Sequence, residues 1–399
     1  MKSNAWLAVA VAALAAGCAS EGVHKPGGPA IGPGATSETF SLRTARFSDM
    51  PGWTSVDLSP GFAAFKRSCA VWRNQANGQS LNGGRYGGTN SQWLPACAAA
   101  ASVSPGGERS FFENFFEPSL VTGPGDARLT AYFEPVIDVT HTPDAVHTAP
   151  LLKRPYDMVS VDLRAFADAL DDSTLHGGPR ALTGQLQGNN VRPYPKRADI
   201  SVAPDQVIAY AHPADLYNLQ VQGSGRIRFE DGTSARASYA AQNGYKWNSA
   251  LGALSAQGAL PQGGANWASL RNWMDANGDA AAKNALNADP SYIFFAQEPL
   301  TDPSLGPRGA AGINLTAMGT IAVDPSYHPY GALLFVDGTY DNAPFRHLLV
   351  AQDTGGAIKR GPLRGDVFFG SGPEAGAAAE KMNAPARFWT LLPKGAPTS

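Results

Sequence analysis

The chain has 399 residues, a length that accommodates about two or three domains. Its formal net charge is −2 and only 16% of its residues are charged, so it lacks the excess of basic residues that nucleic-acid binding requires. The composition favours a neutral or polar partner. With 44 glycines and 31 prolines, it favours turns and short strands, and we expect a mainly β protein with a few short helices.

The N-terminal segment has the pattern of a bacterial export signal. Lys2 precedes an apolar run over residues 5–16, too short to span a bilayer, and Gly17 and Cys18 follow it. A small residue before a cysteine is typical of a lipoprotein signal, so we expect residues 1–18 to be the signal segment and Cys18 to be lipidated. By bacterial sorting habits Ala19 favours the outer membrane. The alternative is a plain secretory signal whose cysteine is incidental.

Residues 19–42 are rich in Gly, Pro, Ser and Thr and predict a flexible tether. Two cysteines remain after Cys18, Cys69 and Cys97. In an exported protein this pair favours a disulfide that closes a loop of about 28 residues and stabilises the fold by roughly 3 kcal/mol, with two buried thiols as the alternative. The seven histidines are scattered, so we expect no metal site and no cofactor.

Apolar residues at helical spacing predict helices over residues 61–72 and 110–120, whose phenylalanines we assign to the core. A strand is predicted over residues 128–139. The segments 206–211 and 216–229 predict an antiparallel sheet. Further turn and periodicity signals predict a hairpin turn at Asp231 and Gly232, helices at 267–274 and 280–286, and a loop at 301–312.

Short strands separated by turn signals dominate the last part of the chain. Their apolar runs cover residues 317–323, 332–336, 347–352, 367–369 and 387–392. So many short strands close together predict a small barrel.

Two carboxylates lie among glycines in this last part. Asp366 follows Gly365 and precedes an aromatic run at a strand entrance, where a low local dielectric would raise its pKa and suit it to donate a proton. Asp353, at the end of another apolar strand, would orient substrate hydroxyls. The alternatives are an exposed turn for Asp366 and a turn cap for Asp353.

Asp324 and Glu374 have simpler interpretations. Asp324 precedes Pro325, a pair that favours turn initiation. Glu374 lies three residues after Ser371, the spacing of a capping box at the start of an alanine-rich helix.

A row of polar side chains at alternate positions predicts one face of a strand: Gln220, Gln222, Ser224 and Arg226. With Gly223 and Gly225 allowing close approach, such a face suits hydrogen bonding to sugar hydroxyl and acetamido groups. The alternative is a solvated sheet face.

Nine segments in a fixed order together resemble the membrane-bound lytic murein transglycosylase A family, the lipoproteins of Gram-negative bacteria that cut peptidoglycan. They cover residues 129–135, 219–226, 239–244, 290–295, 315–318, 322–324, 352–358, 364–366 and 372–376. The sequence departs from the family at Tyr245 and Lys246, where family members more usually have a proline-containing segment. The resemblance places this segment at the flank of the groove that binds the glycan.

The resemblance implies a double-psi β-barrel made of residues 43–136 and 306–395, with a β-rich glycan-groove domain, residues 137–305, inserted between them. It implies Asp366 as the catalytic aspartate, with Asp353 and Asp324 lining the site. The substrate-binding residues are then Tyr132, Gln220, Gln222, Ser224, Gly225, Thr316 and Met318. The implied partner is a peptidoglycan glycan strand, bound by a monomer held at the outer membrane.

One carboxyl group suffices for the implied reaction. Asp366 would protonate the oxygen between N-acetylmuramic acid and N-acetylglucosamine, then accept the proton of the sugar's C6 hydroxyl, leaving a 1,6-anhydromuramyl end. The alternatives are a hydrolytic muramidase and a peptidoglycan-binding module without activity. Another alternative is an aspartic protease, because the active-site triplet of that family, Asp-Thr-Gly, occurs at Asp353, Thr354 and Gly355. Such a protease needs a second Asp-Thr-Gly or Asp-Ser-Gly triplet, and the chain has none.

Overall fold

The computed structural model describes residues 39–81, 84–172, 174, 181–261, 265–356, 358 and 361–397. The predicted signal segment, the lipidation of Cys18 and nearly all of the tether lie outside the described residues. Within the described ranges, no helix combines the length and the apolar character needed to cross a membrane.

The strands, in chain order, are β1 (Ser41–Thr44), β2 (Phe116–Thr122), β3 (Arg128–Glu134), β4 (Val136–Thr140), β5 (Ala149–Leu152), β6 (Met158–Asp162), β7 (Ala181–Gln187), β8 (Asn190–Pro193), β9 (Val207–Ala211), β10 (Gly225–Phe229), β11 (Ser234–Gln242), β12 (Ile293–Pro299), β13 (Thr320–Val323), β14 (Leu333–Tyr340), β15 (Ala343–Asp353), β16 (Arg364–Ser371) and β17 (Asn383–Pro393). The α-helices are α1 (Ser59–Trp72), α2 (Asn90–Ala99), α3 (Glu108–Phe115), α4 (Leu163–Leu170), α5 (Pro213–Gln222), α6 (Ala250–Ala256), α7 (Trp267–Leu286) and α8 (Pro373–Ala379).

The larger sheet closes into a barrel. Its strands follow the order β3, β16, β13, β15, β14 and β17, and β17 pairs again with β3, while β2 and β1 extend the sheet beyond β17. Closure is possible because β17 is long: Asn383–Pro385 pair with β3, and the rest of the strand pairs with β14 and β2. A closed circuit leaves these strands without a free edge.

A second β unit is inserted between β3 and β13. Its main sheet has the order β12, β11, β10, β4, β9 and β5, and a bridge between Lys153 and Phe295 brings the two outer strands together. Strands β6, β7 and β8 form a smaller sheet, and α5, α6 and α7 share a separate apolar core. The predicted fold class, a mainly β double-psi barrel with an inserted β domain and a few short helices, is confirmed.

Helix α1 packs on the barrel as the periodicity predicts, and α2, for which no helix was predicted, packs beside it. Phe62, Phe65 and Trp72 of α1 are buried, and the Trp72 ring lies 5.2 Å from that of Trp93 in α2. The predicted disulfide between Cys69 and Cys97 is confirmed and links the two helices. It fixes both helices over the end of the barrel core.

Two predicted elements are wrong in extent because proline interrupts them. The helix predicted over residues 110–120 ends at Phe115, and Phe116 starts β2, since Pro118 disfavours a helical conformation at the residue before it. The strand predicted over residues 128–139 is two strands separated by Pro135, which has no N–H to donate. β3 belongs to the barrel and β4 to the inserted sheet, so this proline marks the crossover between them.

The strand predicted from residue 216 is also wrong up to Gln222, because this segment is helix α5. His212 Nδ1 accepts a hydrogen bond from the Ala214 N–H at 3.1 Å, Pro213 occupies the first helical turn, and Gly223 ends the helix at φ 83°. The hairpin of β10 and β11 around Gly232 is confirmed, as are the two helical segments of α7, which Gly278 separates.

The predicted capping box at Ser371 and Glu374 is wrong. Gly372, which has no side chain, occupies the N-cap of α8, and Glu374 is exposed. The Ser371 hydroxyl instead donates to Glu134 Oε2 at 2.5 Å. The Ser371 hydroxyl therefore binds the buried Glu134 carboxylate and does not cap α8.

Candidate active site

Strand β13 brings Asp353 and Asp366 into one site. Its Ala322 pairs with Asp353 of the parallel strand β15 and with Asp366 of the antiparallel strand β16. Because neighbouring strands lie about 4.8 Å apart, the backbones of the two aspartates are separated by roughly 10 Å. The barrel topology thus places two carboxylates on either side of one small buried residue.

Asp366 is half-buried between β13 and β3. The Thr130 hydroxyl, on the adjacent strand β3, donates to Asp366 Oδ1 at 2.6 Å. Burial raises the pKa of Asp366 to about 6, the Thr130 hydrogen bond and the Arg364 charge lower it, and the charge of Asp353 adds to the rise. A large share of this carboxyl is therefore protonated in mildly acidic solution.

Asp353 has a different environment, because both of its oxygens accept hydrogen bonds. The N–H groups of Ala310 and Thr354 each donate to Oδ1 at 2.9 Å, and the Tyr132 hydroxyl donates to Oδ2 at 2.8 Å. Burial raises the pKa of Asp353, while these donors lower it. Burial is the larger effect, so the pKa of Asp353 stays above its ordinary value, and the three donors offset part of the rise.

Tyr132 donates a hydrogen bond to Asp353 and lies close enough to Asp366 for the charge of that carboxylate to affect its pKa. It lies on β3, and its ring is 5.3 Å from that of Phe368, which follows Asp366 on β16. Burial and the charges of Asp353 and Asp366 raise the pKa of Tyr132 well above its ordinary value, so its hydroxyl stays protonated and donates.

Asp324 lies at the end of β13 and organises a turn. Its Oδ1 accepts from the N–H of Ser326 at 3.0 Å and from the Ser326 hydroxyl at 2.5 Å, and its Oδ2 accepts from the Gly361 N–H at 3.1 Å. The carboxylate is 7% exposed. Asp324 therefore makes the turn-forming contacts that an Asp-Pro pair favours. It lies two residues after Ala322, the residue that pairs with both Asp353 and Asp366.

Thr316 and Met318 belong to the turn that leads into β13. The guanidinium of Arg67 on α1 donates to the Thr316 hydroxyl, and the Met318 N–H donates to the Phe368 carbonyl at 2.8 Å. Met318 has φ 55°, a left-handed conformation uncommon for a residue with a side chain. This turn thus binds directly to the strand that carries Asp366.

The predicted polar strand face of Gln220, Gln222, Ser224 and Arg226 is wrong, because α5 contains the two glutamines. Gln220 is 5% exposed, and its amide accepts from Arg197 and donates to the Ile293 carbonyl. Gln222 accepts from the Phe133 N–H at 3.4 Å, and the Ser224 hydroxyl accepts from the Tyr239 N–H at 3.1 Å.

Gly225 fills a tight position at the crossover to the inserted sheet. A Cβ there would lie 2.3 Å from Leu219 Cδ1 and 2.8 Å from the Pro135 carbonyl oxygen. The side chains of Gln220 and Ser224 are thus engaged within the inserted unit, while Gln222 contacts the barrel strand β3. Gly225 lets β10 approach Leu219 and Pro135 closely.

The sequence reasoning missed three contributors to the site: Thr130, the Ala310 N–H and Glu134. Thr130 and Glu134 lie on the predicted strand, and only its pairing with β16 reveals that they face Asp366 and Ser371. The Ala310 N–H belongs to a loop whose sequence has no signal for such a contact. Among the described residues, no group of His, Cys, Asp and Glu side chains is arranged to hold a metal ion.

A double-psi barrel with an inserted β unit and a half-buried carboxyl of raised pKa beside a second carboxylate is an arrangement that suits acid–base chemistry. Comparison with known proteins identifies the family. Residues 128–296 match the family model described as the MltA specific insert domain, and residues 319–392 match the model described as the 3D domain.

The membrane-bound lytic murein transglycosylase A of Vibrio cholerae is 29% identical over 282 residues, covering 69% of this chain and 67% of that protein. The crystal structure of a membrane-bound lytic murein transglycosylase from Agrobacterium tumefaciens has 30% identity and a TM-score of 0.74, covering 89% of this chain and 98% of the other. MltA from Neisseria gonorrhoeae, in its monoclinic form, has 27% identity and a TM-score of 0.74, covering 94% and 97%. The chain belongs to the membrane-bound lytic murein transglycosylase A family.

Proposed function

We propose that this enzyme cleaves the β-1,4 bond between N-acetylmuramic acid and N-acetylglucosamine in peptidoglycan and leaves 1,6-anhydro-N-acetylmuramic acid ends. Asp366 acts first as the general acid and then as the base. Its relatives are named for murein, the same polymer. The observation that carries the proposal is the half-buried Asp366 carboxyl, whose pKa is raised to about 6 by burial.

The proton transfers follow from the contacts of Asp366. Because Oδ1 accepts from Thr130, the acid form carries its proton on Oδ2. This proton passes to the bridging oxygen as the bond from C1 of the muramic sugar breaks. The C6 oxygen of the same sugar then bonds to C1, and its proton returns to Asp366. The carboxyl ends in its starting state, and no water is consumed.

The contacts of Asp353 support a reaction without a second free carboxylate. Hydrolytic glycosidases use a second carboxyl to activate water or to attack the sugar. Asp353 accepts hydrogen bonds from Ala310, Thr354 and Tyr132, and these donors reduce its strength as a base or nucleophile. Capture by the substrate's own hydroxyl, with an effective molarity on the order of 10⁵ M, makes such a group unnecessary.

We assign supporting roles to the remaining site residues. Asp353 supplies negative charge that stabilises the oxocarbenium ion as it develops and raises the pKa of Asp366. Asp324 holds the turn after β13. Tyr132, Thr316 and Met318 line the glycan groove between the barrel and the inserted unit, and Gln220, Gln222, Ser224 and Gly225 support its wall.

We further propose that the enzyme is a monomer held at the periplasmic side of the outer membrane by acyl chains on Cys18. The lipoprotein pattern of residues 1–18 supports this location, as do relatives named membrane-bound. Labelling cells with a radioactive fatty acid tests it, because a Cys18→Ser variant should take up no label.

The activity is tested by digesting purified murein with the protein and measuring the mass of the released muropeptides. Anhydro ends are one water lighter than the reducing ends that a muramidase would leave. Asp366→Asn should lower the rate by about 10³-fold or more and still bind murein, whereas Asp138→Asn, in an exposed ion pair of the inserted sheet, should act as wild type. Reducing ends from the wild-type protein would refute the proposed reaction, and binding without cleavage would make the protein a binding module.

A further inference from the structure

A buried ion cluster joins the barrel to the inserted unit. Glu134, the last residue of β3, is fully buried, and its two oxygens accept from Arg226 Nε and Arg236 Nε, each at 2.8 Å. The Ser371 hydroxyl at the end of β16 also donates to Glu134 Oε2. Glu134 and Ser371 belong to the barrel, and the two arginines belong to strands β10 and β11 of the inserted sheet.

The same arginines hold the loop that returns the chain to the barrel. Arg226 Nη2 donates to the Pro303 carbonyl at 2.7 Å and to that of Leu305 at 3.3 Å, and Arg236 Nη2 donates to the Leu305 carbonyl at 2.7 Å. The loop is therefore held by side chains whose own orientation depends on Glu134, because a guanidinium keeps its donors in a rigid plane.

From this anchor the loop runs directly to the carboxylates. Gly306 packs on the ring of Phe368, where a Cβ would lie 2.5 Å from Cε1. Gly309 packs on the backbone of Gln352 and the side chain of Asp353, and the next residue, Ala310, donates its N–H to Asp353. A short stretch of chain thus connects the buried ion cluster to one of the three donors on Asp353.

We propose that Glu134, Arg226 and Arg236 are positioning residues for the reaction, because they hold the loop of residues 303–310 in the register that presents the Ala310 N–H to Asp353. The inference deepens the proposed function and rests on it. The cluster itself touches no reacting atom in this scheme. It acts through the loop, and the inserted unit that forms one wall of the groove thereby controls the charge beside the catalytic acid.

Loss of the cluster should change the pH dependence in a defined direction. If the Ala310 N–H moves away, the pKa of Asp353 rises, and less negative charge faces Asp366, whose pKa then falls. Among the described residues, three further titratable groups face this pair: Tyr132 on β3, Tyr330 before β14 and Arg364 on β16. They keep their charge states between pH 4 and 8, so they do not reverse the shift.

The barrel offers a matched control. Asp337, 1% exposed, accepts from Arg346 at 2.8 Å and from Arg387 at 2.6 Å, the same arrangement of one buried carboxylate and two arginines. Arg346 lies about 23 Å along β15 from Asp353, at the other end of the strand. Breaking this cluster removes comparable interactions at a distance from the loop.

The experiment compares Arg236→Gln and Arg236→Lys with Arg346→Gln in the full protein. We measure hydrogen exchange of residues 303–310, kcat and apparent KM on soluble glycan strands, and the pH profile of kcat/KM. Arg236→Gln should speed exchange in the loop, lower kcat by about tenfold with KM changed less than about threefold, and move the alkaline limb down by about half a pH unit. Arg236→Lys keeps the charge, so its loop exchange, kcat and pH profile should lie between those of Arg236→Gln and wild type. Arg346→Gln should lower only the melting temperature.

Wild-type loop exchange, kcat and pH profile in Arg236→Gln would overturn the inference, and so would a match between Arg236→Gln and Arg346→Gln in every measurement. If Arg236→Gln fails to fold, Ser371→Ala replaces it, since that change leaves all three charged groups in place and removes only the hydroxyl that donates to Glu134 and accepts from Arg226 Nη2 at 3.0 Å. A wild-type protein that releases no anhydro ends would refute the proposed function instead. The loop-exchange measurement still decides the role of the cluster in that case, because it requires no activity.

Discussion

The replacement Asp366→Asn should make the protein more stable at neutral pH while it abolishes activity. The pKa of Asp366 is about 6 in the folded protein, raised by burial, against 3.8 for an unperturbed carboxyl. The folded state therefore binds more protons than the unfolded state between these values, so the stability that Asp366 contributes is complete below about pH 4 and is lost as pH rises through 6. An asparagine has the same shape and no charge to bury.

The magnitude follows from the size of the shift. A difference of about 2 pKa units corresponds to about 3 kcal/mol at pH 8. The side chain is half-buried, so solvent screening reduces the gain, and we expect about 1–3 kcal/mol. Asparagine Oδ1 retains the acceptor for the Thr130 hydroxyl, so the hydrogen bond of 2.6 Å contributes little to the difference.

The assay is urea unfolding of wild type and Asp366→Asn at pH 4 and at pH 8. The variant should exceed wild type in free energy of unfolding at pH 8 and match it closely at pH 4. Asp231→Asn is the control, because hydrogen bonds from Thr233 lower the pKa of Asp231, and its removal should not stabilise the protein at either pH. Equal effects of Asp366→Asn at the two pH values, or a loss of stability at pH 8, would show that burying the charged carboxylate does not destabilise the fold.

His328 gives the opposite pH dependence, because burial lowers its pKa to about 4. Its own contribution to stability should fall by about 3 kcal/mol as pH falls from 6.5 through 4, against the gain from Asp366, so His328→Gln should be more stable relative to wild type at pH 4 than at pH 7 in urea unfolding. A wild-type slope in the variant would contradict this. Gly225→Ala should destabilise the fold by about 1–3 kcal/mol, because the added Cβ would lie 2.3 Å from Leu219 Cδ1, while Gly356→Ala, where nothing lies within 4 Å, should leave the melting temperature unchanged. Similar melting temperatures for both alanine variants would rule out the proposed clash.

Much of the barrel was predictable, because its strands carry local patterns. The apolar runs of β14, β15 and β17 and the turn residues between them are readable without knowledge of their partners. Asp366 could be proposed as the acid for the same reason, since the glycine before it and the aromatic residues after it are adjacent in sequence. Its raised pKa agrees with that interpretation.

What sequence patterns missed depends on pairing between distant segments. Thr130 and Asp366 meet only because β3 and β16 are parallel neighbours, and Ala310 meets Asp353, 43 residues further along the chain, only through the tertiary fold. The error at Gln220 has another cause. A short amphipathic helix and an alternating strand place apolar residues similarly over a few positions, and the flanking Pro213 and Gly223 were the better indicators.

Strand β17 also sets the order in which the protein can become active. Residues 383–393 complete the ring of hydrogen bonds with strands encoded far upstream, so β3 and β14 keep exposed edges until that segment has been synthesised. β3 is also the strand that pairs with β16 around Asp366. A chain truncated before residue 383 would therefore leave the ring open next to the candidate site, and the proposed activity would depend on the final segment of the sequence.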